Sequence, residues 1–258
     1  MLNAKERCIK HRKRILELSQ NVTALHVAPS FSCVEIVDTI YYDLMKKNDI
    51  FIMSKGHGVP TQYVILEDLG ILSKFELDNY CKPSGYLGAH PDYGVPGIEA
   101  STGSLGHGLG IAVGRAYAEK QKSSGKVVYC LLSDGEMAEG SVWEALMCAA
   151  NLKLDNLIAF VDNNDYGGMD KISEEQPSFY PLGDKIGAFG WDWVVVNGHD
   201  NLEIVQHVRG VLRNTPLMIL CNTIKGYPIS YMRDSPIWHY RSPNPEEYQQ
   251  ALAELGVM

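Results

Sequence analysis

Two continuous apolar stretches constrain the fold of this chain more than any other feature. Residues 127–132 read VVYCLL, residues 157–161 read LIAFV, and a segment with helical periodicity, 142–152, lies between them. Strands that are apolar at every position are typical of a parallel sheet with both faces covered. Further elements are predicted as strands at 194–196 and 217–221 and a helix at 202–212. The alternation predicts an α/β fold, a parallel sheet with helices on both faces.

The remaining segments add helices and one long loop. Helices are predicted over 5–25, 32–44, 63–69, 73–80 and 103–121, the last with small residues along one side. Small residues there indicate close approach of another backbone or a ligand. Residues 81–103 are rich in Gly, Pro and Tyr, and an ordered loop of that length is usually functional. Since no repeat or linker interrupts the pattern, residues 1–258 are predicted to form a single domain.

Composition and charge exclude several classes of protein. Acidic residues outnumber basic ones by 31 to 23, which argues against a chain that coats nucleic acid. No apolar run approaches the length of about 18 residues that a membrane span needs. The charged N-terminal segment lacks the apolar stretch of a secretory signal. Six scattered cysteines without a CxxC pair predict reduced, mostly buried thiols in a cytoplasmic protein.

Polar residues follow the two apolar strands at the point where each strand ends. Asp134 and Gly135 follow the first strand, and Asn164 follows the second, 30 positions after Asp134. A parallel crossover brings both strand ends to one edge of the sheet, where ligands bind in open α/β folds. Carboxylate and amide oxygens suit Mg²⁺, and Gly135 lets the backbone approach phosphate oxygens. The alternative is that both pairs are ordinary turn residues.

Histidines form the second signal. His26 ends the first predicted helix, and His57, His90, His107 and His239 lie in loops rich in Gly and Pro. None has the spacing of a zinc site. Gathered over a pocket, they would suit proton transfer near neutral pH, although any one of them could equally be a solvated side chain. The glycine-rich run 103–110 lacks the preceding strand of a dinucleotide fingerprint, so NAD binding is disfavoured.

Ordered motifs along nearly the whole sequence carry a resemblance to a known family. They are Ser54-Lys55-Gly56-His57, Ala89-His90-Pro91, the run STGSLG at 101–106, SDGEMAEGSVWEA at 133–145, KLDNL at 153–157, DNN at 162–164, FGW at 189–191, GHD at 198–200, TIKG at 223–226 and Trp238-His239. The chain resembles the N-terminal, diphosphate-binding half of transketolases. The resemblance implies the thiamine diphosphate-binding fold and transfer of a two-carbon ketol unit from a ketose to an aldose, free or phosphorylated.

The resemblance also implies residue roles. Asp134 and Asn164 would ligate Mg²⁺ (or Ca²⁺ or Mn²⁺) by their side chains and Tyr166 by its backbone carbonyl. Cofactor contacts would come from Lys55, His57, Gly103, Ser104, Leu105, Asp134, Gly135, Glu136, Asn164, Lys225 and His239. His26, His57, His90 and His239 would be the catalytic residues that face the sugar. Glu139 and Glu144 match acidic residues that communicate between the active sites of the dimer.

The same resemblance implies a partner. The glutamate that protonates the aminopyrimidine ring lies in the second half of full-length transketolases. A separately encoded pyrimidine-binding subunit in an α2β2 heterotetramer is therefore expected, with no nucleic-acid or membrane partner. Two other hypotheses stay open, a non-catalytic scaffold or regulator, and an α subunit of a 2-oxoacid dehydrogenase, although the SKGH and terminal WH motifs disfavour the latter.

Three departures from the family pattern stand out. They are His107 in place of a usual glutamine, Ser133 in place of a glycine, and Val27-Ala28-Pro29 in place of a glycine-rich run. The last of these indicates an altered substrate pocket beside His26. A specialised pathway, rather than central sugar metabolism, is the corresponding expectation.

Overall fold

A five-stranded parallel sheet organises the computed structural model, which describes residues 2–22, 24–168, 170–209 and 214–257. The strands are β1 (Ile50–Met53), β2 (Val128–Ser133), β3 (Leu157–Asn163), β4 (Asp192–Asn197) and β5 (Leu217–Asn222). Their order in the sheet is β1-β2-β3-β5-β4, and every neighbouring pair is parallel. Ser133 pairs with Asp162, so β2 and β3 end side by side at the carboxyl edge.

Helices cover the sheet. In chain order they are α1 (Ala4–Ser19), α2 (Val27–Ser32), α3 (Val34–Thr39), α4 (Val59–Asp68), α5 (Lys74–Asp78), α6 (Gly108–Gln121), α7 (Gly140–Asn151), α8 (Ile172–Glu175), α9 (Leu182–Ala188), α10 (Asn201–Arg209) and α11 (Pro245–Gly256). A π-helical turn, Ile40–Leu44, follows α3, and 3₁₀ turns lie at Gly56–Gly58, Gly135–Ala138 and Pro236–Tyr240. No helix among the described residues is long and apolar enough to cross a membrane.

The two faces of the sheet belong to two apolar cores. On β2, Tyr129 and Leu131 pack with the core formed by α1 to α4, α10 and α11, whereas Cys130 and Leu132 pack with the core formed by α6, α7 and α9. Side chains alternate between the faces because the period of a strand is two residues. The predicted parallel sheet with helices on both faces is confirmed.

Several predicted boundaries were wrong. The first helix ends at Ser19 rather than at residue 25, and the predicted helix 32–44 is divided between α2, α3 and the π-helical turn. The apolar run before the SKGH motif forms the edge strand β1. Helices α9 and α11 were not predicted. The predicted helix 202–212 is observed as far as Arg209, and its end lies outside the described residues.

Helix α6 begins at Gly108 rather than at the predicted residue 103. Gly103 and Gly106 have φ values of +135° and +85°, a conformation that side-chain-bearing residues rarely adopt. Residues 103–107 therefore form a loop at the start of α6, on the same edge of the sheet as the ends of β2 and β3.

Candidate active site

The loops that follow β2 and β3 meet at the carboxylate of Asp134, which is fully buried. One oxygen, Oδ2, accepts hydrogen bonds from the backbone N–H groups of Asn164 (2.8 Å) and Asp165 (2.5 Å). The other oxygen accepts from Gly135 N–H at 2.8 Å. Burial, and then the nearby Asp162 carboxylate, raise the pKa of Asp134 to about 7. The site therefore holds a buried carboxylate whose hydrogen-bond donors are all uncharged amides.

Oxygen atoms around Asp134 fit a hard divalent cation. The side-chain carbonyl of Asn164 accepts from Tyr166 N–H at 3.1 Å, which orients the amide within the loop. A Cβ placed on Gly135 would lie 3.0 Å from Gly167 Cα, so the two loops approach as backbone only. Carboxylate, amide and carbonyl oxygens are the ligands Mg²⁺ takes, and a cation would compensate the charge of Asp134. Among the described residues, no cluster of three or more His, Cys, Asp or Glu side chains could hold a metal, so a site here depends on such mixed oxygen ligands.

A buried ion pair lies beside Asp134. The side chains of Lys55 and Asp162 are both 0% exposed and form a salt bridge. Lys55 Nζ also donates to the Pro29 carbonyl at 2.9 Å, and Asp162 accepts from Ser32 Oγ at 2.5 Å and from the hydroxyl of Thr223. Burial alone would lower the pKa of Lys55, but Asp162 raises it, and Lys55 in turn lowers the pKa of Asp162 against its burial. The predicted cofactor lysine is thus paired within the chain.

Glu136 joins three segments of the site. Its Oε1 atom accepts from Ser54 Oγ (2.5 Å) and from Gly106 N–H (2.9 Å), and Oε2 accepts from Ser133 N–H at 3.3 Å. The residue is fully buried, and burial raises the pKa of its carboxyl group. Glu136 therefore holds the SKGH loop and the STGSLG loop to the end of β2.

Glycines set how closely these two loops approach. A Cβ on Gly56 would lie 2.8 Å from Gly103 Cα, and one on Gly103 would lie 2.7 Å from the His90 ring. A Cβ on Gly108 would lie 2.2 Å from Ser54 Oγ. Because larger residues would push the loops apart, the glycines fix where His57 and His90 lie relative to each other.

Four of the five singled-out histidines come together. The ring centroid of His26 lies 5.7 Å from that of His57, 6.0 Å from that of His90 and 5.5 Å from that of His239. The ring centroids of His57 and His239 are 5.5 Å apart. Burial, then neighbouring positive groups, lower the pKa of His26 to about 4 and of His239 to about 3, and place that of His57 well below its ordinary value. These three rings are therefore neutral near pH 7. They can donate and accept protons in hydrogen bonds without adding charge.

Lys225 connects this cluster to the loop after β3. Its Nζ atom donates to His239 Nδ1 at 3.0 Å and to the Gly168 carbonyl at 3.3 Å, and it lies 5.1 Å from the Tyr166 ring centroid. Burial, and then Lys55, lower the pKa of Lys225 to about 8. Lys225 therefore lies one hydrogen bond from the loop that follows Asn164, and His239 is connected to that loop through Lys225.

The other sequence-predicted residues lie at the rim. Leu105 is half-buried, whereas Ser104, His107, Glu139 and Glu144 are exposed. His107 precedes α6 outside the histidine cluster, and Glu144 lies on the outer face of α7. The structure gives these exposed residues no role within the described part of the chain.

Several residues of the site received no role from the sequence, although three of them lie within its motifs. They are Ser32, Ser54, Asp162, Thr223 and Tyr240. Tyr240 contacts His26 with ring centroids 4.5 Å apart. Asp162 was visible as a charged residue continuing an apolar strand, a pattern that signals a paired group at a strand end. The serines and Thr223 gave no such signal, because hydroxyl residues are common in loops.

Known proteins are similar to this chain along nearly its whole length. The family described as "Transketolase, thiamine diphosphate binding domain" matches residues 37–257. The chain is 37% identical to an apulose-4-phosphate transketolase subunit of Phocaeicola vulgatus, across 96% of this chain and 92% of that protein. It is also 37% identical to "6-deoxy-6-sulfo-D-fructose transketolase subunit SqwG" of Clostridium sp. (strain MSTE9), across 95% of this chain and 93% of that protein.

Full-length relatives and solved structures match the same part. Human transketolase is 35% identical over 95% of this chain, but the match spans only 41% of that enzyme. The crystal structure of transketolase from Campylobacter jejuni superposes with a TM-score of 0.93 at 25% identity, covering 99% of this chain and 43% of the solved one. The chain thus spans less than half the length of these enzymes.

Proposed function

The chain belongs to the transketolase family, and on that premise we propose that it is the diphosphate-binding subunit of a two-subunit enzyme. With Mg²⁺ and thiamine diphosphate, the enzyme would transfer a two-carbon ketol unit from a ketose to an aldose. One observation carries the proposal. The β2 and β3 loops meet at a buried carboxylate, beside the histidine cluster and Lys225. That combination offers a cation site, an anion contact and proton-transfer groups at one sheet edge.

The metal would be held by Asp134, by the side chain of Asn164 and by the backbone carbonyl of Tyr166. The raised pKa of Asp134 supports this assignment, because an ion would favour the charged form of a carboxylate that only amides now contact. Ca²⁺ or Mn²⁺ could replace Mg²⁺, since all three take oxygen ligands.

The cofactor would supply the chemistry that stabilises a carbanion once the carbon–carbon bond of the ketose breaks. Gly135 and Asn164 would face its diphosphate, where no side chain blocks the backbone. Lys225 and His239 would add hydrogen-bond donors at the other side of that group. Gly103 and Leu105 would hold the rings, with Ser104, His57 and Glu136 as further contacts. Lys55 would act indirectly, through its ion pair with Asp162.

The histidine cluster would bind the sugar. His26, His57, His90 and His239 each lie within 6.0 Å of a neighbouring ring centroid. A neutral imidazole holds a proton on one ring nitrogen and accepts one on the other, which suits hydroxyl and carbonyl oxygens. Histidines in such a position would move protons on sugar oxygens during bond cleavage and addition.

We infer that the partner is a separately encoded pyrimidine-binding subunit that docks on the outer face of α6 and α7. Ile111 and Tyr117 on α6 and Met147 on α7 are 37%, 42% and 50% exposed, and open space lies beside Gly110 and Gly114. Helix α6 starts directly after the 103–107 loop, so a protein on this face would reach the cofactor site. Two relatives, matched over 92% and 93% of their own length, are themselves named as transketolase subunits.

An α2β2 assembly follows if each active site needs both chains and each pair packs on a second pair. Glu139 and Glu144, exposed beside this face, would then communicate between sites. The names of the two relatives refer to apulose-4-phosphate and to 6-deoxy-6-sulfo-D-fructose. A ketose carrying an anionic group is accordingly the proposed donor class. Six free cysteines, four of them buried, support a cytoplasmic location.

Substitution of Asp134 tests the proposal. Asp134→Ala should abolish Mg²⁺-dependent binding of thiamine diphosphate to the assembled complex, measured by calorimetry. Asp155→Ala is the matched control, because this partly exposed aspartate precedes β3, at the edge of the parallel sheet opposite to that of Asp134. Unchanged affinity in Asp134→Ala would remove that residue from the metal site.

A second experiment separates the alternatives. The purified chain should lack ketol transfer alone and gain it on co-expression with the candidate partner. Activity without any partner would overturn the two-subunit proposal. Decarboxylation of a 2-oxoacid by the complex would favour the dehydrogenase α subunit instead, and cofactor binding without turnover of any sugar would favour a non-catalytic relative.

A further inference from the structure

A buried polar network lies behind the site, on the side of the sheet covered by α1 and α3. The guanidinium of Arg12 donates to both oxygens of Glu35, at 2.5 and 2.7 Å. Glu35 Oε2 is also 3.0 Å from Nδ1 of His199, a residue in the loop between β4 and α10. Arg12, Glu35 and His199 expose 1%, 7% and 9% of their side chains. The three groups form a chain of charge-assisted hydrogen bonds that is nearly free of solvent.

The partners of His199 fix which of its ring nitrogens carries the proton. Glu35 is a carboxylate, because Arg12 and His199 lower its pKa to about 2 although burial acts in the opposite direction. A carboxylate only accepts, so Nδ1 of His199 donates to it. The other nitrogen, Nε2, keeps a lone pair and accepts the backbone N–H of Ile224 at 3.0 Å. A proton on Nε2 would turn that contact into two facing donors.

Ile224 lies between two residues of the site. Thr223 donates its hydroxyl to Asp162, and Lys225 donates to His239 at 3.0 Å. His199 also stacks on Tyr227, with ring centroids 4.0 Å apart. The Arg12 side chain adds a hydrogen bond to the Tyr227 carbonyl at 3.1 Å. The segment 223–227 is therefore held from behind by His199 and Arg12, while Thr223 and Lys225 extend toward the cofactor region.

We propose that His199 is a positioning residue, which sets the place of Lys225 by accepting the Ile224 amide, and that Glu35 acts through it by fixing the tautomer. This inference rests on the proposed function, since it gives Lys225 a part in binding the diphosphate. Its structural part does not: the tautomer and the Ile224 contact are properties of the chain alone. The His199 ring contacts Glu35, Ile224 and Tyr227, so its effect on Lys225 passes through the backbone.

Two isosteric variants separate the two hydrogen bonds of His199. In His199→Asn the side-chain amide can still donate to Glu35, but nothing reaches Ile224 N–H. In His199→Gln the longer side chain places a carbonyl oxygen where Nε2 was, so an acceptor for Ile224 is retained. Hydrogen exchange of the full chain, read at residues 222–227, should become about 10-fold faster or more in His199→Asn and stay within about 3-fold of wild type in His199→Gln.

The affinity of the assembled complex for thiamine diphosphate should follow the same order, about 10-fold weaker or more in His199→Asn and largely restored in His199→Gln. Unchanged exchange at 222–227, or exchange that rises equally in β5 and α10, would overturn the positioning role. Faster local exchange with unaltered affinity would also overturn it. If wild type and Asp134→Ala both fail to bind the cofactor, the proposed function fails while the exchange result still stands.

If the variants do not fold, the proposal can still be tested on the wild-type protein. Selective ¹⁵N-histidine labelling and long-range ¹⁵N–¹H correlation report the tautomer of each ring. The proposal requires His199 to be protonated on Nδ1 with an unprotonated Nε2 at neutral pH. An Nε2-protonated ring would refute it without any substitution.

Discussion

The buried pair of Lys55 and Asp162 gives the sharpest prediction for stability. Both side chains are 0% exposed, so removal of either one leaves the other charge in a site without water. The group that remains either keeps its charge without a counter-ion or becomes neutral by gaining or losing a proton, whichever costs less free energy. Neutralising Asp162 at pH 7 costs at most about 4 kcal/mol and neutralising Lys55 about 5 kcal/mol, from their ordinary pKa values. Breaking a buried pair is expected to cost about 3–5 kcal/mol, which agrees with these limits.

The remaining partners rank the variants. In Lys55→Met, Asp162 keeps two hydroxyl donors, Ser32 at 2.5 Å and Thr223, so the cost should lie near the lower limit. In Asp162→Asn, Lys55 keeps the Pro29 carbonyl at 2.9 Å, and the cost should be higher. The double variant contains no orphaned charge and should lose about 1–2 kcal/mol, so the single costs should not add.

The two single variants should respond to pH in opposite directions. In folded Lys55→Met, burial raises the pKa of Asp162, so this carboxyl group binds a proton at a pH where the unfolded chain has already released it. The difference in free energy of unfolding between wild type and this variant (the gap) should therefore narrow as pH falls from about 7 to about 5. In Asp162→Asn the folded state loses the Lys55 proton, so the gap narrows as pH rises. Each unit of pH changes the gap by up to about 1.4 kcal/mol.

Urea unfolding of the chain, followed by tryptophan fluorescence at pH 5.5, 7 and 8.5 without cofactor or metal, measures these free energies. Additive costs, or gaps that stay constant across the pH range, would refute the assignment of a buried, mutually dependent pair.

Three further predictions concern the loops, the histidines and the partner face. Gly108→Ala should lower the free energy of unfolding by about 1–3 kcal/mol, because the new Cβ would lie 2.2 Å from Ser54 Oγ. Gly110→Ala is the control, because no atom lies within contact distance of a Cβ there. Equal melting temperatures of the two variants would contradict the close approach at Gly108. Stability of the apo chain should fall as pH drops from about 6.5 toward 4, since unfolded histidines bind protons that His26 (pKa about 4) and His239 (pKa about 3) do not bind when folded. The double variant His26→Asn/His239→Asn should flatten that slope in the same urea assay, and an unchanged slope would count against neutral buried histidines. Thiol titration should find Cys81 and Cys148 reactive in the free chain, and assembly should protect Cys148 on α7 but not Cys81; a reactive Cys148 in the complex would move the interface elsewhere.

The sheet could be predicted because its strands are apolar at every position. Residues 127–132 and 157–161 do not alternate between apolar and polar side chains. That pattern is typical of a strand buried on both faces, and the two segments form β2 and β3. The edge strand β1 has only four residues, too short for its pattern to be distinguished from that of a loop. The start of α6 was misplaced because the positive φ angles of Gly103 and Gly106 are not encoded in periodicity.

The candidate site was predictable to the extent that each residue stands at a strand end or in a glycine-rich loop. Asp134 and Asn164 follow adjacent parallel strands, so the crossover alone brings them within a hydrogen bond of each other. The groups that hold the site were not predictable. Glu136 is separated from Gly106 by 30 positions and from Ser54 by 82, and only the folded chain shows that one carboxylate joins them.

The structure also separates two lysines to which the sequence assigned one role. Lys55 has two of its three ammonium protons directed at Asp162 and Pro29, and its side chain is 0% exposed, so a phosphate could replace these partners only by leaving Asp162 buried without its counter-ion. Lys225 contacts a neutral histidine, a carbonyl and an aromatic ring, and no carboxylate among the described residues forms an ion pair with it. An incoming anion would therefore improve the surroundings of Lys225 and worsen those of Lys55. Direct contact with the diphosphate is accordingly expected of Lys225, while Lys55 keeps Asp162 charged, so that this carboxylate accepts the hydroxyl groups of Ser32 and Thr223.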